Sequence, residues 1–149
     1  MNSVSAPVMP LQQHKLRYND MGSLTRKFYK ILNELFRENS MSYFQNPINL
    51  DSSPSYLETV HQGMSLSVLR DIVCTGIYEH ARLSFMRDLL RVFENATTYY
   101  PADSEVHQTA VAMRALAVEK VTAVCGETVV QGWIQSINTQ KPKTVSFLL

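Results

Sequence analysis

Four histidines (His14, His61, His80 and His107) and two cysteines (Cys74 and Cys125) are the side chains best suited to metal or nucleophile chemistry, and they are scattered along the chain. No pair of them stands at metal-ligand spacing. No glycine-rich phosphate loop and no serine-centred nucleophile elbow appears either. The pattern predicts no enzyme and no cofactor or metal. Tyr56 offers a different chemistry, because its phenol puts one hydrogen-bond donor at the tip of an apolar ring. Tyr99 and Tyr100 stand just before Pro101 in the run Val92–Val106, which has the grammar of a helix, a short loop and a second helix.

Composition limits the partners of such groups. With 149 residues, 45% of them hydrophobic and 18% charged, the chain has the length of one globular domain with a packed core. A formal net charge of +1 lacks the basic excess that neutralises many phosphates, so protein or peptide partners are expected and nucleic acid is not. Both cysteines lie in apolar, helical-looking segments, which predicts buried thiols in a reducing compartment, without a disulfide. No basic stretch precedes an apolar core at the N-terminus, and no window reaches the roughly 18 apolar residues of a spanning helix. A soluble, intracellular protein is expected.

Four helices can be read from apolar spacing. Leu24, Phe28, Ile31, Leu32, Leu35 and Phe36 share one helical face, within a predicted helix near 23–39 that Asp20 or Ser23 would cap. From Asn39 to Ser55 the period is lost and Pro47 and Pro54 intervene, so a long loop follows, ordered by its apolar residues. Leu66, Leu69, Ile72 and Val73 define a second helix near 65–73. Leu83, Met86, Leu89, Leu90, Phe93 and Ala96 define a third near 79–98, which Pro101 should stop. Ser104 would cap a fourth near 104–125, with Glu105 in its first turn, a stripe of Val106, Ala110, Met113, Ala117, Val121 and Val124, and Gly126 as its end. Val129, Val130, Trp133, Ile134 and Ile137 suggest a short further helix, with Trp133 either covering core surface or anchoring a partner. Lys141-Pro142-Lys143 reads as a terminal turn. The expected division is a flexible segment over 1–21, one domain over 22–125 and a C-terminal extension over 126–149.

Four local motifs, in order, resemble the bromodomain family. Phe44-Gln45-Asn46-Pro47-Ile48-Asn49 is similar to its Phe-x-x-Pro-Val-Asp element, Pro54-Ser55-Tyr56 to its Pro-Asp-Tyr element, and Gly63-Met64-Ser65-Leu66-Ser67-Val68 to its Pro-Met-Asp-Leu-x-x element. Tyr78, Phe85, Asp88, Phe93, Asn95, Ala96 and Tyr99 match the family's third helix and the start of the loop after it. The resemblance covers about Leu24 to Val124. It implies an all-α, left-handed four-helix bundle whose helices are called Z, A, B and C, with a ligand pocket between the ZA and BC loops.

The same resemblance implies a reader of acetylated lysine, on histone tails or other acetylated proteins, working in the nucleus with other chromatin proteins. The acetyl-lysine contacts it assigns are Phe44, Pro47, Ile48, Tyr56, Tyr99, Tyr100 and Val106. Phe44, Pro47, Ile48 and Val106 would be apolar walls, and Tyr56 would hold a water against the acetyl oxygen. Departures from the pattern are visible. Ser42-Tyr43-Phe44 replaces Trp-Pro-Phe, Asn49 replaces Asp, and Gly63 replaces Pro. At Tyr100 the family places the asparagine that hydrogen-bonds the acetyl carbonyl. Tyr100 leaves two readings open: its hydroxyl donates to the acetyl group, or its ring fills the pocket and leaves a bundle that serves as an interaction scaffold. Together the departures imply a lineage distant from the well-known animal and fungal members, such as a protozoan one.

Overall fold

The computed structural model describes residues 15–60 and 62–140; His14, His61, the Lys141-Pro142-Lys143 turn and the tail beyond it lie outside the described residues. Five helices carry the fold: α1 Ser23–Phe36, α2 Leu66–Cys74, α3 Arg82–Tyr99, α4 Glu105–Cys125 and α5 Glu127–Gln140. No strand occurs among the described residues. The antiparallel neighbours α3 and α4, joined by only five residues, form the most extensive contact, α1 lies against α2 and α4, and α5 covers α3 and α4.

The apolar stripes converge as their spacing requires. Phe28, Ile31, Leu32 and Leu35 of α1 meet Phe85, Leu89, Leu90 and Phe93 of α3 in one buried cluster. Phe28 stacks on Phe85 with ring centroids 3.8 Å apart, and Trp133 of α5 meets Phe28 edge-on at 6.5 Å. Trp133 is only 8% exposed, so it belongs to the core and does not stand free as a partner's anchor. Val124 departs from the expected stripe: it is 39% exposed, while Cys125 packs partly against the core in its place. Both cysteines are free and half-buried, and desolvation raises their thiols above the ordinary range.

Ser104 and Ser65 cap helices through their hydroxyls, which accept from the amides of His107 and Val68. At α1 the expected cap is absent: Ser23 is already helical, and Gly22 occupies the cap position. The Glu79 carboxylate, 54 or more residues away, caps α1 instead. It accepts from the amides of Leu24 and Thr25 and from the Thr25 hydroxyl, at 3.4, 2.8 and 2.7 Å. A β-carbon at Gly22 would fall on that carboxylate, so glycine is what admits it. α3 therefore starts at Arg82, later than the 79 expected, because Glu79 belongs to the 3-10 turn Ile77–His80. Residues 15–21 also differ from the flexible lead-in expected for them. The Leu16 amide donates to the Cys74 carbonyl at 2.7 Å, Lys15 pairs with Asp71 at 2.7 Å, and Met21 is buried.

The hydrogen bonds from Thr25 and Leu24 lower the Glu79 carboxyl below its ordinary value of 4.5. Its contribution to stability is thus fully present above that value and is lost as pH falls through the lower folded-state value. Glu79→Gln should melt below the parent at neutral pH, by an amount typical of a lost cap, about 1 kcal/mol, and the gap should close toward strong acid. A pH-independent gap between the two melts would defeat this assignment.

Candidate functional site

The loop over 37–65 is ordered by its own side chains. Residues Asn39–Phe44 form a 3-10 helix that buries Met41 and Phe44, and a single helical turn, Tyr56–Thr59, buries Tyr56. Phe44 meets Phe93 of α3 edge-on at 5.3 Å. Asn95 of α3 donates from Nδ2 to the Gln62 carbonyl at 2.8 Å and so ties the far end of the loop to the bundle. Beneath the loop, facing the turn between α3 and α4, lies a cavity of about 220 Å³.

Six of the seven assigned residues line it: Phe44, Pro47, Ile48, Tyr56, Tyr100 and Val106. Tyr99 does not. Its hydroxyl lies 3.1 Å from the Ser55 Oγ, and its ring is edge-on to Tyr56 at 4.9 Å and to Tyr100 at 4.8 Å, so it braces the two tyrosines that do. The remaining wall includes residues outside those seven: Val92 and Ala96 of α3, Val68 of α2, and Leu50 and Leu57 from the loop. Val92 and Ala96 sit one helical turn apart on the same face of α3, a spacing that identifies them once the loop is known to cross that face.

Tyr100 ends α3 in extended backbone, with φ −89° and ψ 143°. Its amide donates to the Ala96 carbonyl at 2.9 Å, and its own carbonyl accepts from His107 Nδ1 at 3.0 Å. Tyr100 is half-buried, packs against the core and lines the cavity. Burial raises the phenols of Tyr100 and Tyr56 above their ordinary range, so both stay protonated at neutral pH and able to donate. Hydrogen bonding to the Glu105 carboxylate raises the Tyr43 phenol at the cavity mouth.

Among the described residues, no charged side chain lines the cavity. The surrounding chain is one-sided in charge: residues 38–69 and 92–113 contain no lysine or arginine, whereas Asp51, Glu58, Asp103 and Glu105 within them are exposed.

The bromodomain family model matches residues 28–112, more than half of the chain, and this chain belongs to the bromodomain family. Among curated relatives, it is 30% identical over 94 residues to bromodomain adjacent to zinc finger domain protein 2B of Gallus gallus, which covers 63% of the chain. It is 33% identical over 92 residues to the nucleosome-remodeling factor subunit NURF301-like of Caenorhabditis elegans, covering 61% of the chain. The chain spans about 4% of the length of each of these relatives. The bromodomain from human BAZ1A shares its fold with a TM-score of 0.61 at 19% identity, covering 66% of this chain and 95% of that one. The second bromodomain of Candida albicans Bdf1, solved with an imidazopyridine, matches with a TM-score of 0.61 at 25% identity, covering 67% and 99%.

Proposed function

We propose that this bromodomain reads acetylated lysine in a basic peptide such as a histone tail, as a nuclear module of a chromatin protein. The observation that carries the reading is the open apolar cavity with no charged group among the described residues of its lining and with Tyr100 on its wall. An unmodified ammonium would be desolvated there without a compensating carboxylate, at a cost of several kcal/mol. Acetylation removes that charge and leaves an amide whose oxygen needs one donor, since an unpaired buried amide costs roughly 1–3 kcal/mol. Tyr100 supplies the donor directly and Tyr56, at the cavity base, supplies it through a water. The exposed Asp51, Glu58, Asp103 and Glu105 suit the cationic residues that flank an acetylated lysine on such a tail. The curated relatives support the chromatin setting, one being named as a nucleosome-remodelling factor subunit.

Titration with a histone-tail peptide, acetylated and unmodified, tests the reading. The acetylated form alone should bind measurably. Tyr100→Phe, which keeps the ring and removes the donor, should weaken it by about 1 kcal/mol, roughly five-fold in Kd. Equal binding of the two peptides by the parent chain would exclude acetyl-lysine reading and favour an interaction scaffold.

A further inference from the structure

A tyrosine in the donor position places its hydroxyl a whole ring further from the backbone than an asparagine would place its amide. A given rotation of the Tyr100 peptide therefore moves this donor further, while an O–H···O bond tolerates only about 2.5–3.0 Å between its heavy atoms. The backbone at Tyr100 has to be held correspondingly tightly, and the structure shows what holds it. On one side the Tyr100 amide donates to the Ala96 carbonyl at 2.9 Å, the last bond of α3. On the other side, where the chain has left the helix, the Tyr100 carbonyl accepts from His107 Nδ1 at 3.0 Å. A carbonyl only accepts, so Nδ1 is the protonated ring nitrogen.

His107 is itself fixed. Its amide donates to Ser104 Oγ at 3.2 Å, and that hydroxyl donates to the Pro101 carbonyl at 2.7 Å, so the first turn of α4 and the five-residue loop form one hydrogen-bonded unit. Val106, the residue before His107, lines the cavity opposite the long loop. We propose that His107 is a positioning residue for ligand recognition: by clamping the Tyr100 carbonyl to α4 it sets where the Tyr100 hydroxyl meets an acyl carbonyl. This rests on the reader assignment above, with Tyr100 as the donor.

A double-mutant cycle with an Nε-acetyl-lysine histone-tail peptide tests the proposal. His107→Ala should weaken binding about five-fold, a loss comparable with that of Tyr100→Phe. His107→Asn, whose side-chain amide places a donor nearly where Nδ1 stood, should return to within about twofold of the parent. In the Tyr100→Phe background His107→Ala should have no further effect, because there is no hydroxyl left to place. Full additivity of the two losses would show that His107 acts on the fold at large and would overturn the proposal. If the alanine variant does not fold, His107→Phe keeps a ring without the donor and replaces it in the cycle. A second arm needs no ligand: with ring-¹³C tyrosine, the Tyr100 signal should shift or broaden in His107→Ala and recover in His107→Asn. An unchanged Tyr100 signal overturns the positioning role whatever the peptide does. A parent chain that ignores acetylation, while the Tyr100 signal still responds to His107, overturns the reader assignment and upholds the clamp.

Discussion

Phe28→Ala should destabilise this protein by about 3–5 kcal/mol, the range for deleting a buried aromatic ring. Phe28 is fully buried, stacked face to face on Phe85 of α3 and edge-on to Trp133 of α5, so one side chain joins three helices. Removing it leaves a cavity whose walls belong to different elements and can collapse only by moving whole helices. Against a total stability of about 5–15 kcal/mol for a typical domain, the loss is about a fifth or more. Leu57→Ala is the control, since Leu57 is 54% exposed at the cavity mouth and its truncation should cost under about 0.5 kcal/mol. Urea melts of the two variants decide the matter. Comparable losses would mean that the stacked aromatic centre does not carry the fold.

Ala96→Leu should have the opposite profile, with stability kept and ligand binding abolished. Ala96 is buried on α3 one turn before Tyr100 and lines the cavity. Three added carbons would project into existing space of about 220 Å³, so overpacking is avoided and the new apolar surface is buried. Both residues are strong helix formers, which leaves α3 unperturbed. Melting should shift by no more than about 1 kcal/mol, in the stabilising direction. An acyl-lysine could then no longer enter, and affinity for the acetylated peptide should fall by more than about a hundred-fold, or 2.7 kcal/mol. Calorimetric titration beside a melt reads both quantities. Undiminished binding would show that the peptide does not use this cavity.

Local pattern was enough for the helices and most of the core. The stripe Met86, Leu89, Leu90, Phe93 and Ala96 is buried as its three-and-four spacing demands, Pro101 follows the Tyr100 that closes α3, and Ser104 caps α4. Each of these depends on residues a turn or two apart, a range over which a sequence is directly readable. The motif match likewise brought six of seven residues to one cavity. Tyr99, the seventh, packs instead toward Ser55, because α3 ends at Tyr99 and the chain passes into extended backbone at Tyr100, which lines the cavity.

Residue order alone thus determined that this chain is a helical bundle and, to within a few residues, where its helices run. Tertiary structure decided what depends on partners distant in sequence. Glu79 replaces the local cap of α1 across more than fifty residues, Leu16 is held on the Cys74 carbonyl, and Trp133 fills the centre beside Phe28. The clamp of His107 on Tyr100 is closer in sequence but arises only when the loop folds back, because no period relates a ring nitrogen to a carbonyl across a turn. Such contacts follow from how whole elements pack, and packing is a property of surfaces brought together by the fold.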